Sequence, residues 1–149
     1  MRLVSVDVAE RSVTALVRFD PAEPLRTDPA LASRALSLLP GLARHYCDNT
    51  EGSVFSAEAR DTEIAHLLEH VACELMALAG SPRTLRGETA WDFARDGRGV
   101  FRVTLQFDDD LVALGALKSA AGIVGALASG EEPPDVTTTV DRLREARRR

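Results

Sequence analysis

Histidine, cysteine and aromatic side chains are scarce in this chain of 149 residues, which has three histidines, two cysteines, one tryptophan and one tyrosine. So few cysteines exclude a disulfide framework, and Cys47 and Cys73 are expected as reduced thiols. Lysine is nearly missing, with Lys118 standing alone among arginines, and the formal net charge is -5 with a pI near 5.2. Nucleic acid is therefore not an expected partner, because phosphate recognition requires a basic surface. The one basic run, at residues 142–149, reads as a solvated helix face or tail. The N-terminus lacks an apolar signal region, and no run reaches the roughly 18 to 20 apolar residues needed to cross a bilayer. A membrane is thus not expected as a partner, and the cytoplasm is the expected location. No phosphate loop, dinucleotide fingerprint or G-x-S-x-G elbow is present, which excludes nucleotide or serine-hydrolase chemistry by those routes.

What is present suffices for one core: 45% of the residues are hydrophobic and 28% charged. Residues 2–8 and 13–19 are β-branched runs separated by a polar AERS segment, the pattern of a β-hairpin. Asp28 and Pro29 form an N-cap followed by a first-turn proline, opening a helix that Pro40 and Gly41 break. A further helical turn through LARHYC and a loop DNTEGS follow. The spacing predicts a long helix from Thr62 to Ala79, with Asp61 or Thr62 as cap and Gly80 then Pro82 as the stop. Residues 81–99 read as an irregular segment or hairpin, and GVFRVTLQF alternates as a strand. Asp108, Asp109 and Asp110 then cap a core helix rich in small residues, whose only interior ionisable residue is Lys118. The expected fold is α+β, a small mostly antiparallel sheet with helices packed on one face. One domain is expected over residues 1–129, with a linker and a short charged helix or tail over 130–149.

The long helix carries the chemistry. Ile64, Leu67, Leu68, Val71, Leu75 and Leu78 share one face, and Glu63, His66, Glu69, His70, Cys73 and Glu74 share the opposite arc. Residues i and i+4 lie about 5–6 Å apart at Cβ, so His66 and His70 can hold one metal ion, with Glu69 beside them as the base. This is the H-x-x-E-H order of the inverted zincins. Histidines on a helix are otherwise solvated or hydrogen-bonded. A catalytic zinc takes three protein groups, and His45 and Cys47 are both kept open as the third. The three aspartates are weaker candidates, since such clusters cap helices. Glu74 lies too far along to share the metal and is expected to orient His70 from outside, with Cys73 and Glu63 nearby.

LPGLARHYC, TEIAHLLEHVACEL, LAG, RGET, GVFRVTLQF and DDDLVALGALKSA, over roughly residues 35–127, resemble the amino-terminal domain of cyanophycin synthetases. In that family the domain precedes an ATP-grasp ligase and a Mur-ligase-like domain and helps hold a polymer of aspartate bearing arginine. In some members a zinc-dependent H-x-x-E-H site cleaves the polymer. The resemblance implies His66 and His70 as metal ligands, Glu69 as general base, and a stand-alone accessory domain without the ligase parts. Cys73 and Met76 depart from the family's leucine and glutamine. The expectation is a zinc-dependent hydrolase cleaving a peptide or isopeptide amide bond. Arg83, Arg86 and Glu88 are named as substrate contacts. The alternative is a non-catalytic substrate-binding module that works with a separate ligase; a structural protein that dimerises through the helix at 111–128 is a third reading.

Overall fold

Alternation in the opening segment resolves into strands β1 (Arg2–Val8) and β2 (Ser12–Arg18), paired antiparallel. These and all later elements come from a computed structural model, which describes residues 1–47 and 54–149. The expected DNTEGS loop lies outside the described residues. Helix α1 (Pro29–Leu38) starts as its sequence predicts: the Asp28 carboxylate accepts from the Leu31 N–H at 2.7 Å, and Pro29 occupies the first turn. A 3-10 turn over Pro40–Arg44 and a short helix α2 (Phe55–Glu58) come next among the described residues. Next come helix α3 (Ile64–Leu78), strand β3 (Gly87–Ala90), a one-turn helix α4 (Phe93–Asp96) and strand β4 (Val100–Gln106). Residues 81–99 are thus largely the descent into a hairpin. Helices α5 (Asp110–Ser129) and α6 (Val136–Arg147) close the chain.

The sheet order is β1-β2-β4-β3, and every pairing is antiparallel. Val13, Ala15 and Val17 of β2 and Phe101, Val103 and Leu105 of β4 are buried at alternate positions, as a strand with one covered face requires. They join one core with Ile64, Leu67, Leu68, Val71 and Leu75 of α3 and Val112, Ala116, Leu117, Ala120 and Ile123 of α5. This is the α+β architecture expected, with α3 and α5 covering one face of the sheet.

Three local details differ from expectation. Helix α3 begins after Glu63, with no side-chain cap, rather than after a capping Asp61 or Thr62. Its first N–H is satisfied across the fold instead, donating from Ile64 to the Leu25 carbonyl at 2.8 Å, and the Thr62 hydroxyl is thereby available to His66. Asp109 alone caps α5, accepting from the Val112 N–H at 3.0 Å. Finally, α5 is long and apolar enough by length and composition to cross a membrane, against the expectation that no segment is. A strict count of apolar residues breaks at Gly115, Lys118, Ser119, Gly122 and Gly125, whereas mean hydropathy does not. Here that apolarity serves the core, with eight of its residues buried. Lys118 points outward.

Helix α6 docks on α5 through Val140 and Leu143. Gly115 makes room for this contact, since a Cβ there would lie 2.6 Å from Leu143 Cδ2. Arg147 then reaches Asp108 at 2.7 Å and the Ser81 hydroxyl, joining the end of the chain to the loop after α3.

Candidate metal centre

Cys47, His66 and His70, all buried, bring one ligand atom each to within 4.8 Å of one another. The helical repeat alone sets the histidine pair, with Nε2 of His66 3.0 Å from Nε2 of His70. Cys47 arrives from the segment after the 3-10 turn, its Sγ 3.5 Å from His66 Nε2 and 3.5 Å from Glu58 Oε2. Phe55 fixes both rings, stacking on His70 at 4.0 Å between centroids and meeting His66 edge-on at 5.4 Å. Burial pushes His66 below the usual imidazole range. It also pushes His70 down to about 2, with smaller contributions from the neighbouring His66 and His45 rings. Both rings are held neutral, the form that ligates metal.

A chain of hydrogen bonds assigns the proton on His70. Glu74 is a carboxylate: burial opposes its charge, but hydrogen bonds from His45 and Arg83 and their charges prevail and bring it down to about 2. His45 Nε2 donates to Glu74 Oε2 at 2.7 Å, and when that ring carries one proton its Nδ1 is the acceptor. His70 Nδ1, 3.0 Å from that atom, then carries the proton that fills the bond. His70 Nε2 is consequently a bare lone pair aimed at His66 Nε2. Between the two ring nitrogens there must be either a proton on His66 or a cation, and Cys47 supplies a third donor at the same point.

The spacing suits a cation. Tetrahedral zinc with bonds of about 2.1 Å to nitrogen and about 2.3 Å to sulfur separates two nitrogens by about 3.4 Å and nitrogen from sulfur by about 3.6 Å. The observed 3.0 and 3.5 Å are within small side-chain adjustments of those values. His66 is steadied from its far side, where Nδ1 lies 2.9 Å from the Thr62 hydroxyl. The residues present therefore fit a metal ion held by two imidazoles and a thiolate.

Glu69 precedes His70 and faces β3. The Thr89 hydroxyl donates to its Oε2 at 2.6 Å, and burial raises its carboxyl to about 7 despite that bond. Its side chain lies against Gly87, where an added Cβ would sit 2.5 Å from Glu69 Cγ. Gly41 plays the same part for Glu74, since a Cβ there would meet Oε1 at 2.0 Å. Glu69, Cys47, His66 and His70 line one cleft of about 770 Å³ between α3 and the β3 strand.

Of the two groups left open as a third donor, Cys47 stands at the cluster, while His45 lies behind His70 and bonds to Glu74. Glu74 does face His70, but through His45 rather than directly. Arg83, named as a substrate contact, lines the same cleft with over half its side chain exposed and is also bound to Glu74 at 2.8 Å. Arg86, over the Tyr46 ring at 5.9 Å, and the exposed Glu88 of β3 both line this cleft. Glu63 pairs with Arg26 at 2.7 Å at the cleft rim. Cys73 lines the cleft with its thiol pushed up to about 12, chiefly by burial and then by Glu69 and Glu74. Asp108 is engaged with Arg147 and Ser81, and Asp109 caps α5, so neither reaches the cluster. Neither Cys47 nor Cys73 forms a disulfide among the described residues.

Thr62, Thr89, Phe55, Gly41 and Gly87 were not named from the sequence as site residues. Gly41, Gly87 and Thr89 nevertheless fall in the LPGLARHYC and RGET segments that carry the resemblance, which was the available signal.

A helix-borne histidine pair, a cysteine from a preceding turn and a protonatable glutamate facing a cleft define a site able to bind a metal ion. The cyanophycin synthase-like N-terminal domain matches residues 21–129, and the chain belongs to that family. Cyanophycin synthetase of Geminocystis herdmanii (strain PCC 6308) is 27% identical over 129 residues, covering 78% of this chain and 13% of that protein. The chain therefore spans about an eighth of the length of that relative.

Proposed function

We propose that the chain is a zinc-dependent hydrolase of a peptide or isopeptide amide bond, with Cys47, His66 and His70 as the metal-binding set. The observation that supports this reading most is the convergence of two neutral imidazoles and a cysteine sulfur with a glutamate whose carboxyl is raised to about 7, all on one cleft. Bound zinc would supply Lewis-acid polarisation of the carbonyl and a water nucleophile available at neutral pH. Glu69, whose Oε1 is the oxygen not occupied by Thr89, is the general base and acid of this reading: it would accept the nucleophile's proton and return it to the leaving amine. Thr89 and Gly87 hold the carboxylate in place, and Glu74 with His45 keeps the proton of His70 on the side away from the metal. The substrate is one made or lengthened by a separate ligase, in keeping with the family, and the cytoplasm, where both thiols stay reduced, is the compartment this reading assigns.

Elemental analysis of protein purified without added metal tests the first half of the reading. Close to one equivalent of zinc is expected, lost in His66→Ala and retained in Glu69→Gln; less than about a tenth of an equivalent in the unaltered protein overturns it. Amide cleavage by the unaltered protein and none by zinc-loaded Glu69→Gln is expected for the second half.

Membership of a family whose relative is matched over only 13% of its length favours a second reading, a non-catalytic module that presents substrate to a ligase. Zinc binding without cleavage, in the presence of substrate retention, distinguishes it.

A further inference from the structure

Strand β3 is the last strand of the sheet, and its hydrogen-bonding pattern leaves a defined set of main-chain groups facing the cleft side. In an antiparallel pair, residues alternate between those that exchange both hydrogen bonds with the partner and those whose N–H and C=O point away. The alternation here is phased at both ends. Phe19 donates to the Gly99 carbonyl and Phe107 to the Arg11 carbonyl, so the odd-numbered residues of β4 are committed to β2. Gln106 donates to the Arg86 carbonyl at 2.9 Å, so the even-numbered residues of β4 are committed to β3. Thr104 thus bonds Glu88 and Arg102 bonds Ala90, whereas Gly87 and Thr89 face Leu105 and Val103 without bonding them. Their N–H and C=O groups point off the open edge. No turn, cap or side-chain hydrogen bond reaches either main chain among the described residues.

These same two residues hold Glu69, Gly87 by its missing Cβ and Thr89 by its hydroxyl. The outward groups are two residues apart, about 6.8 Å, the repeat of an extended polypeptide. Edge strands with such a row of groups are templates for strand addition. The cleft beside them carries both signs of charge, with Arg44 and Arg86 against Glu63 and Glu88.

We propose that the open edge of β3 takes the substrate's main chain as an added strand, paired through Gly87 and Thr89, so that an amide carbonyl lies beside Glu69. This rests on the amide-hydrolase reading for its occupant, an extended peptide of mixed charge.

Amide hydrogen exchange of zinc-loaded Glu69→Gln protein, followed by NMR with and without the capped hexapeptide acetyl-Asp-Arg-Asp-Arg-Asp-Arg-amide, tests it. In free protein the Gly87 and Thr89 amides exchange fast while those of Glu88 and Ala90 are slow; saturating peptide slows the first two and leaves the others unchanged. N-methylation of alternate peptide amides in one phase weakens binding about tenfold or more, and in the other phase does not. Binding that leaves Gly87 and Thr89 fast overturns the proposal, as does absence of binding up to about 1 mM peptide. Protection already present in free protein and rising with its concentration assigns the edge to a second copy of the chain and overturns it as well. Cleavage of the hexapeptide by unaltered protein is scored separately. Slowed Gly87 and Thr89 exchange without cleavage upholds the edge and refutes the hydrolase, and cleavage without slowed exchange does the reverse.

Discussion

Glu74→Gln removes one charge from behind the metal-binding set while leaving all three donors in place. The Glu74 carboxylate is 2% exposed at the residue level and accepts from His45 Nε2 at 2.7 Å and from the two Arg83 nitrogens at 2.8 and 3.3 Å. A glutamine oxygen at the Oε2 position still accepts from His45 and from the nearer Arg83 nitrogen, while its amide nitrogen faces the second Arg83 nitrogen, so what is lost is that longer bond and the charge behind the other two. Arg83 is 56% exposed at its side chain and can rehydrate, which limits its share to about 1 kcal/mol or less. His45 is mostly buried, and a hydrogen bond to a charged group contributes about 1.5–3 kcal/mol. The expected loss is therefore about 2 kcal/mol, or a melting temperature lower by about 4–8 °C for a domain of this size. The proton on His70 is no longer held on Nδ1 by an anion, so zinc affinity is expected to fall about 10- to 100-fold, as for partners that orient ligating histidines. Chelator competition on metal-free protein measures this, with melting curves in EDTA reporting stability separately. Arg83→Gln serves as the control and should leave zinc affinity within about threefold. A Glu74→Gln protein that melts lower yet binds zinc within about twofold of the unaltered chain would refute the relay through His45.

Gly87→Ala forces a Cβ to within 2.5 Å of Glu69 and should displace that carboxylate from Thr89; zinc stoichiometry persists while cleavage falls, measured as kcat on an amide substrate. Cys73, with its thiol pushed up to about 12, should alkylate with iodoacetamide at pH 8 roughly a thousandfold more slowly than an ordinary cysteine, followed by mass spectrometry. Leu143→Ala empties the contact of α6 with Gly115 and should destabilise the protein by about 2–4 kcal/mol in urea titrations without altering zinc binding. Asp108 is held below its usual range, first by the hydrogen bond from Arg147 and also by Ser81. A depressed carboxylate contributes stability above its unfolded value and loses it as pH falls through the folded one. Unfolding curves should therefore show unaltered protein ahead of Asp108→Asn by about 1 kcal/mol at pH 6, the gap closing below about pH 4.

Local physics made much of this chain legible. The Asp28–Pro29 start of α1, the alternation of β2 and β4, and the pairing of His66 with His70 each depend on residues a few positions apart, where backbone periodicity alone decides the neighbours. Asp61 and Thr62 both carry the residue type of an N-cap, yet neither caps α3, because the fold engages Asp61 with Arg26 and the Thr62 hydroxyl with His66. The membrane-length apolarity of α5 was missed by a residue count and given its meaning by packing against α3 and the sheet.

The H-x-x-E-H spacing on an amphipathic helix follows from the order of side chains, because a helix repeats every 3.6 residues whatever surrounds it. Which group completes the set does not. His45 and Cys47 are adjacent candidates of similar chemistry in the chain, and the turn after α1 sends one ring behind His70 and the thiol in front. In the same way Thr89 and Gly87 reach Glu69 from a strand some twenty residues on, and Gly41 admits Glu74 from the opposite direction. Those are contacts between elements brought together by core packing, and their identity depends on how α3 is seated against β3 and the 3-10 turn, which no local periodicity encodes.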